Sequence, residues 1–494
     1  MEPLAFQPSM LLAILPEIGL VVLGALLLVF DLVWRGSSRR LFGWVTAGGL
    51  AIIAILAILF ARPGSTPQLI LGGMLRLDGT AFVFRLIFLT AAAITALLMV
   101  DQEPEGQQGE FYVLMLVATL GMNLMASSAD LIMLYLAIET TSLPLYVLAG
   151  FSTRDPKSTE AGIKYFLFGA MTAAVMLYGF SLLYGFSGTT NLYQMAPKFG
   201  QFPPVVLALA AMLVLVGFGF KVSAVPFHFW APDVYEGSPT PVAGFLSTAS
   251  KAAGFAVLMR VMLAVFSVQS NPQMTNFLAY WPVLIAIMSI ASMILGNVLA
   301  ASQTNIKRLL AYSSIAQAGY MLAGVMSGSS LGYSAATYYL ISYLVTNLAA
   351  FGIVTLVGRT ICSDEISAYS GLHRRNPGLA LALLVALLSL GGIPPFSGFT
   401  GKLLVFGAAI QSGSLGIAVA IVGVITSVIA LYYYLKVIKI SFVGQAEGGN
   451  RPLPMTVPWR LALIVCVVGI LFLGTVLGPW YQVSAFGGSS LFIR

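Results

Sequence analysis

The chain is built from long uninterrupted runs of apolar residues, and these runs constrain its fold more than any other feature. One of them, residues 381–390, reads LALLVALLSL. A helix needs about 20 such residues to cross the hydrocarbon core of a bilayer. Only 8% of the 494 residues are charged, against about 25% in soluble domains. A water-soluble globular protein is therefore excluded, and the runs predict an all-α integral membrane protein.

Breaks in the apolar runs divide the chain into about 14 candidate transmembrane helices. They lie at residues 10–34, 41–61, 80–100, 110–127, 130–151, 159–186, 203–230, 240–268, 278–300, 305–326, 332–358, 377–411, 414–442 and 457–480. The seventh and twelfth segments are long and contain clusters of glycine and proline. Because proline removes a backbone donor and clashes with the preceding turn, we expect both of these helices to be discontinuous.

The basic residues of the loops and helix ends predict an orientation. If the N-terminus lies outside, 14 of them fall on the cytoplasmic side and 5 on the outer side. The cytoplasmic set is Arg35, Arg39, Arg40, Arg154, Lys157, Lys307, Arg308, Arg359, Arg374, Arg375, Lys436, Lys439, Arg451 and Arg460. The outer set is Arg62, Arg76, Arg85, Lys198 and Arg494. Cytoplasmic loops are enriched in lysine and arginine, so both termini are predicted on the outer side, and the net charge of +7 implies no nucleic acid partner.

Three short matches indicate an internal repeat. Tyr146–Gly150 reads YVLAG and Tyr320–Gly324 reads YMLAG, an offset of 174 residues. KYFL at 164–167 resembles TYYL at 337–340, and GFGFK at 217–221 resembles GFTGK at 398–402. This offset covers five helices, an odd number, so the two units would have opposite orientations, as in transporters with inverted repeats. Chance similarity between apolar helices is the alternative.

The repeat predicts four parts of the chain. Three peripheral helices occupy 1–100, the two five-helix repeats occupy 110–268 and 278–442, and a final helix and tail occupy 457–494.

A few charges lie inside the predicted spans. The basic ones are Lys164, Lys221, Lys251, Arg260 and Lys402, and Glu139 is the acid nearest a span centre. A charge at the bilayer centre costs about 2.5–3.5 kcal/mol. We therefore expect Glu139, Lys221, Lys251 and Lys402 to face the interior of the bundle, either paired or hydrated.

The surroundings of these charges favour proton transfer. Helical spacing places Ser142 and Tyr146 on the same face as Glu139, and Ser247 one turn from Lys251. Since burial and a nearby carboxylate act oppositely on a lysine, a Glu–Lys pair whose separation changes can take up and release a proton. Structural ion pairs and tight helix packing are the alternative interpretations.

Three further residues are ambiguous. Lys164 follows Glu160 by four residues, so an ordinary helical ion pair explains it. Arg260 lies near the end of its span, where it can extend to the membrane surface. His228, in the sequence PFHFW, is more typical of a packed or capping residue than of a proton relay.

Cofactor sites have no support in the sequence. The two cysteines, Cys362 and Cys466, lie far apart, and the two histidines, His228 and His373, are too few for haem or copper. No nucleotide-binding motif is present. We therefore expect no cofactor in this chain, and a proton relay would have to be driven from elsewhere.

Two long motifs resemble a known family. The segment Lys221–Leu246, KVSAVPFHFWAPDVYEGSPTPVAGFL, is followed by Lys251, and Gly391–Lys402 reads GGIPPFSGFTGK. Together with the helix that carries Glu139, they resemble the antiporter-like membrane subunits of respiratory complex I. Within that family, APDVYEG and Lys402 are most similar to the N type, since the M and L types usually read LPDAMEG and the M type carries glutamate at the position of Lys402.

The resemblance implies a fold, a function and partners. The fold has two inverted five-helix repeats with discontinuous helices 7 and 12. The implied function is proton translocation, in which Glu139 pairs with Lys221, Lys164 modulates that pair, Lys251 is central and Lys402 leads to the other half-channel. The implied partners are lipids and the other membrane subunits of complex I, which handle NADH and quinone, in the inner membrane of the cell.

Two other functions stay open at this point. A subunit of a multi-subunit cation/proton antiporter would show a related lysine pattern. An assembly subunit would carry the same buried charges for structural reasons alone.

Overall fold

A computed structural model describes residues 9–33, 40–64, 66–102, 108–201, 203–266, 280–445 and 452–493. In chain order the helices begin with α1 (Ser9–Ala13), α2 (Leu15–Val33), α3 (Arg40–Phe60), α4 (Gly79–Met99), α5 (Gln108–Ser127), α6 (Leu131–Ala149), α7 (Pro156–Ser187), α8 (Leu192–Met195), α9 (Pro204–Val222) and α10 (Trp230–Gly237). They continue with α11 (Thr240–Phe266), α12 (Tyr280–Ala301), α13 (Ile306–Met326), α14 (Ser330–Ile361), α15 (Leu372–Arg375), α16 (Pro377–Gly391), α17 (Ser397–Gln411), α18 (Ser414–Val443), α19 (Val457–Thr475) and α20 (Leu477–Ser489). Two short strands, β1 (Gln68–Ile70) and β2 (Leu75–Leu77), pair antiparallel. Arg35, Arg39, Arg451 and Arg494, which enter the orientation count, lie outside the described residues.

The long helices confirm a multi-pass membrane protein. Within the described residues, 13 helices are long and apolar enough to cross a membrane. They correspond to 13 of the predicted segments. The remaining segment, 377–411, is divided between α16 and α17, which have 15 residues each.

The first predicted interruption is present. Helix α9 ends at Val222, Ser223 adopts a left-handed conformation, and the chain becomes helical again only at Trp230. The indole Nε1 of Trp230 donates to the carbonyl of Phe220 at 3.2 Å, and the Ala224 amide donates to the carbonyl of Gly219 at 2.9 Å. These bonds satisfy carbonyls that the interruption leaves without a helical donor, as backbone at membrane depth requires.

The second interruption separates α16 from α17. Gly392 has a φ of +85°, and a Cβ there would lie 2.9 Å from Cδ of Lys402. Glycine is therefore needed both for the left-handed backbone and for the close approach of the lysine. The amide of Gly398 is satisfied by Oγ of Ser389 at 3.1 Å, which ties the start of α17 to the end of α16.

The two predicted units have matching structural features. Helices α7 and α14 both contain 32 residues and begin 174 residues apart. Asp130 and Asn305 cap α6 and α13, and each also forms an isolated β-bridge, Asp130 with Asn191 and Asn305 with Glu365. These pairs recur at offsets of 175 and 174 residues, so they support the internal repeat. The opposite orientation of the two units stays a prediction.

The C-terminal part differs from the predicted span and tail. Residues 457–480 were expected to form one helix, but α19 ends at Thr475 and a second helix, α20, continues to Ser489. Helix α20 packs against α4 and α14. A Cβ at Gly488 would lie 2.4 Å from the backbone amide of Ser334, so a glycine is what allows α20 to approach α14 this closely.

Candidate functional site

Three lysines lie deep in the helix bundle without a carboxylate partner. The exposed fractions of Lys221, Lys251 and Lys402 are 6%, 1% and 5%. No carboxylate among the described residues lies within 4.0 Å of their ammonium groups, and each ammonium instead donates to a hydroxyl or a backbone carbonyl. The prediction that these charges face the interior is confirmed, and their partners are neutral.

Lys221 contacts the helix of Glu139 but not its carboxylate. Its Nζ donates to Oγ of Ser142 at 2.6 Å, three residues after Glu139 on α6. Glu139 is half-buried and lies beside Tyr135 and Tyr146. The charge of Glu139 still acts on Lys221, but the two residues form no direct ion pair. Ser142 therefore lies between the two groups that were expected to touch.

Lys251 is positioned by an irregular turn of α11. Residues Leu246–Ser250 form a π-helical turn directly before it, a feature frequent at functional sites. Nζ of Lys251 donates to the carbonyl and to Oγ of Ser314 on α13, at 2.6 and 2.5 Å. Ser247, the hydroxyl expected near Lys251, instead accepts from Nδ2 of Asn347 on α14 at 2.6 Å.

Between Lys221 and Lys251 lie hydroxyls without a protein partner. Those of Ser223, Tyr235 and Tyr343 are buried and have no hydrogen bond to any described residue. Tyr235 lies beside Ser223 and Ser314, so it stands between the two lysines. Buried polar groups of this kind are normally satisfied by ordered water. The gap between the lysines is thus a place where water is stabilised.

Lys402 lies against the second interruption. Its Nζ donates to the carbonyl of Gly391 at 3.1 Å and lies 4.6 Å from the centroid of the Tyr320 ring. The Nε2 group of Gln317 donates to the neighbouring carbonyl of Leu390 at 3.1 Å, and Oε1 of the same amide accepts from the hydroxyl of Tyr339. A ring face attracts a desolvated cation, so Tyr320 stabilises the ammonium without supplying a countercharge.

One helix joins the environments of Lys251 and Lys402. Ser314, Gln317 and Tyr320 follow each other at intervals of three along α13 and lie in the contacts just described. The sequence-based prediction misses all three. The signal that could have found them is the presence of polar residues at helical spacing in a segment that must cross the membrane.

Lys164 belongs to a separate ionic cluster at one end of the bundle. Its Nζ contacts Glu160 and Asp233 at 2.6 Å each, which confirms the predicted pair with Glu160. Arg308 contacts Asp233 at 2.7 Å and Glu236 at 2.9 Å. Asp233 and Arg308 were not predicted. The cluster lines a cavity of about 140 Å³, and 36% of the Lys164 side chain is exposed.

The cluster keeps its carboxylates ionised. Burial raises the pKa of Asp233, but hydrogen bonds from Lys164 and Arg308 outweigh burial and hold this pKa below its ordinary value. Burial likewise raises the pKa of Glu236, and hydrogen bonds from Lys157 and Arg308 hold it below its ordinary value. Short α10, which carries both acids, is therefore anchored by fixed charges.

Arg260 does not extend to the membrane surface as expected. It is 1% exposed, and its guanidinium binds both carboxylate oxygens of Asp78 at 2.7 and 2.9 Å. It also donates to the carbonyl of Ala126 and to the hydroxyl of Tyr193. His228 is buried against Phe229, as expected for a packed residue.

The comparisons with known proteins identify the family. Residues 128–430 match the family model described as "NADH:quinone oxidoreductase/Mrp antiporter, TM". This chain belongs to that family. It is 42% identical to NADH-quinone oxidoreductase subunit N of Heliobacterium modesticaldum over 96% of this chain and 98% of that protein. It is 44% identical to the subunit N of Moorella thermoacetica, with 93% and 94% covered. The resemblance to the antiporter-like subunits of complex I, and to their N type, is confirmed.

Solved structures of the family have the same fold. A chain of respiratory complex I from Thermus thermophilus is 37% identical, with a TM-score of 0.80 over 96% of this chain and 100% of that chain. A chain of the Mrp complex from Dietzia sp. has a TM-score of 0.86 over 99% of this chain and 98% of that chain, but only 21% identity. The latter likeness shows the fold alone.

Proposed function

We propose that this chain is the N-type subunit of an NADH:quinone oxidoreductase and that it moves protons across the membrane. Other subunits bind NADH and quinone, and quinone reduction there drives the movement. The partners are those membrane subunits and the surrounding lipids. The chain spans the inner membrane many times, with both termini on the outer side.

The observation that carries the proposal is the row of buried lysines with neutral partners. Breaking or omitting the countercharge of a buried ion is strongly unfavourable, so such a row is not expected from stability alone. A lysine whose acceptors are hydroxyls, carbonyls and a ring face can exist with or without its proton. An arginine cannot, because it keeps its proton at any relevant pH.

The contacts suggest an order of transfer. Glu139 and Lys221 exchange charge through Ser142, and water held by Ser223 and Tyr235 connects Lys221 to Lys251. From Lys251 the route follows α13 towards Lys402. Because a carboxamide has no titratable proton, Gln317 does not serve as a proton-transfer group. Water and the phenols around it complete this last step.

The orientation is supported by the positions of loop cations. Lys157, Lys307, Arg308 and Arg359 all belong to the predicted cytoplasmic set, and all line cavities at the end of the bundle that α10 occupies. We assign this end to the cytoplasmic side. Lys164 lies at the same end, which fits a role in modulating proton uptake by the Glu139–Lys221 pair.

The two alternatives have weaker support. Fold similarity alone connects this chain to the Mrp antiporter complex, whereas 42–44% identity connects it to subunits of the N type. An assembly role explains buried arginines paired with carboxylates, but it gives no reason for lysines without them.

The test is pumping by a fully assembled complex that carries Lys251→Met. This change keeps the length of the apolar stem, so we expect normal assembly but at least about tenfold slower NADH-driven proton uptake into inverted membrane vesicles. Lys436→Met, at an exposed lysine of α18, is the matched control and should pump normally. Assembled Lys251→Met complex with unchanged pumping would reject the proposal.

A further inference from the structure

The short helix α10 is held by cations from both units of the repeat. Asp233 uses its two oxygens separately, since Oδ2 contacts Lys164 of α7 and Oδ1 contacts Arg308 of α13. Arg308 also contacts Glu236, whose other oxygen is bound by Lys157 at 2.8 Å. Helix α7 lies in the first unit and α13 in the second. Arg308 is thus the residue through which the second unit binds α10.

The same helix carries groups that reach the lysine row. Trp230, at its start, donates to the carbonyl of Phe220 next to Lys221 and stacks on Tyr165 at a centroid distance of 4.5 Å. Tyr235 lies on α10 between the two acids, fully buried, with its hydroxyl beside Ser223 and Ser314. The position of α10 therefore fixes the position of the only phenol that we place between Lys221 and Lys251.

We propose that Arg308 is a positioning residue that couples the second unit to proton transfer between Lys221 and Lys251. It acts through Asp233 and Glu236, which hold α10 and with it Tyr235. Since Asp233 is bound by α7 and α13 at once, a shift of one unit against the other moves α10 or breaks one of these bonds. This inference rests on the proposed function of the chain and adds the residue that connects its two halves.

The geometry explains why one arginine suffices. Nη1 of Arg308 contacts both acids, so it holds α10 at two points one helical turn apart. Such a pair of contacts restrains rotation of α10 about its axis, and rotation is the movement that would turn the Tyr235 hydroxyl away from the gap. Lys164 and Lys157 bind the same acids from the first unit only.

The test is a set of variants in the assembled complex, with proton uptake per NADH oxidised as the measurement. We expect Arg308→Gln to lower coupled pumping roughly fivefold and Arg308→Lys to recover most of it, because an ammonium can still contact Asp233. Adding Arg308→Gln to Asp233→Asn should cost less than the two single losses combined. Arg359→Gln, at an exposed arginine of the same end, is the matched control and should pump normally.

Tyr235→Phe provides a second variant that keeps the packing of α10. It removes only the hydroxyl, so it should assemble normally and lower pumping to a similar degree as Arg308→Gln. Wild-type pumping by Tyr235→Phe, or additive losses for Arg308 and Asp233, would overturn the inference. If Lys251→Met impairs pumping in the same experiment, the proposed function stands, and if Lys251→Met also pumps normally, both fail.

Discussion

Two groups of buried cations in this protein are equally hidden from solvent but differ in their partners. Arg260 binds Asp78 through two oxygens, and Arg85 binds Glu17 at 2.8 Å. Lys251 and Lys402 have no carboxylate among the described residues within 4.0 Å. The arginines therefore form neutral pairs, whereas the lysines depend on hydroxyls, carbonyls and a ring face.

The difference separates structural charge from transferable charge. A guanidinium keeps its proton, so burial demands a permanent countercharge close by. A lysine can lose its proton, so its surroundings need to suit both the charged and the neutral form. Neutral acceptors and water do this, while a fixed carboxylate would hold the charge in place. The two groups should consequently respond in opposite ways to substitution.

The largest effect is expected at Arg260. Arg260→Met leaves Asp78 buried and unpaired, which should destabilise the protein by about 3–5 kcal/mol. We expect little or no assembled complex in membranes, measured by native gel electrophoresis. The double variant Arg260→Met with Asp78→Asn should assemble better than Arg260→Met alone, because no charge is left without a partner. Equal loss in both would contradict a structural ion pair.

The next effect is expected at Lys402. Lys402→Met and Lys402→Arg should both assemble, and both should lower proton pumping at least about tenfold, since neither side chain can exchange a proton. The arginine variant decides between the two groups of cations. If Lys402 were a structural charge like Arg260, arginine would preserve function, so wild-type pumping by assembled Lys402→Arg complex would remove it from the route.

A smaller effect is expected between Glu139 and Lys221. Glu139→Gln and Lys221→Ala should each impair pumping, and the double variant should lose less than the sum of the two, by a factor of roughly 3 to 10. Because Ser142 lies between them, Ser142→Ala should weaken this coupling. Additive losses in pumping assays of the assembled complexes would show that the two groups act independently.

The smallest effect is expected for the pH dependence of the α10 cluster. The pKa values of Asp233 and Glu236 are lowered in the folded protein, so their contribution to stability is present above their ordinary values and is lost as pH falls through the lowered folded values. The difference in thermal stability between the wild-type complex and Asp233→Asn should therefore stay constant from roughly pH 8 to pH 5. A difference that changes within this range would show that the cluster titrates near neutral pH.

The N-type assignment, the membrane-spanning segments, the two interruptions and the identity of the buried charges could be predicted from the sequence. Each depends on a property that is local in the chain. The cost of placing a residue in a bilayer is counted over a window of about 20 residues, and glycine and proline act on the turn in which they lie. The pair of Lys164 with Glu160 is local in the same sense, and it too was predicted correctly.

The partners of those charges were decided by the tertiary structure alone. Ser142 lies 79 residues from Lys221, Ser314 lies 63 residues from Lys251, and Asp78 lies 182 residues from Arg260. Which helix lies beside another, and in which rotation, depends on side-chain packing over the whole bundle, and the π turn before Lys251 rotates that residue relative to an ideal helix. The sequence by itself therefore determined where charge is buried, and the packing of distant helices determined whether that charge is fixed by a carboxylate or left with partners that let a proton move.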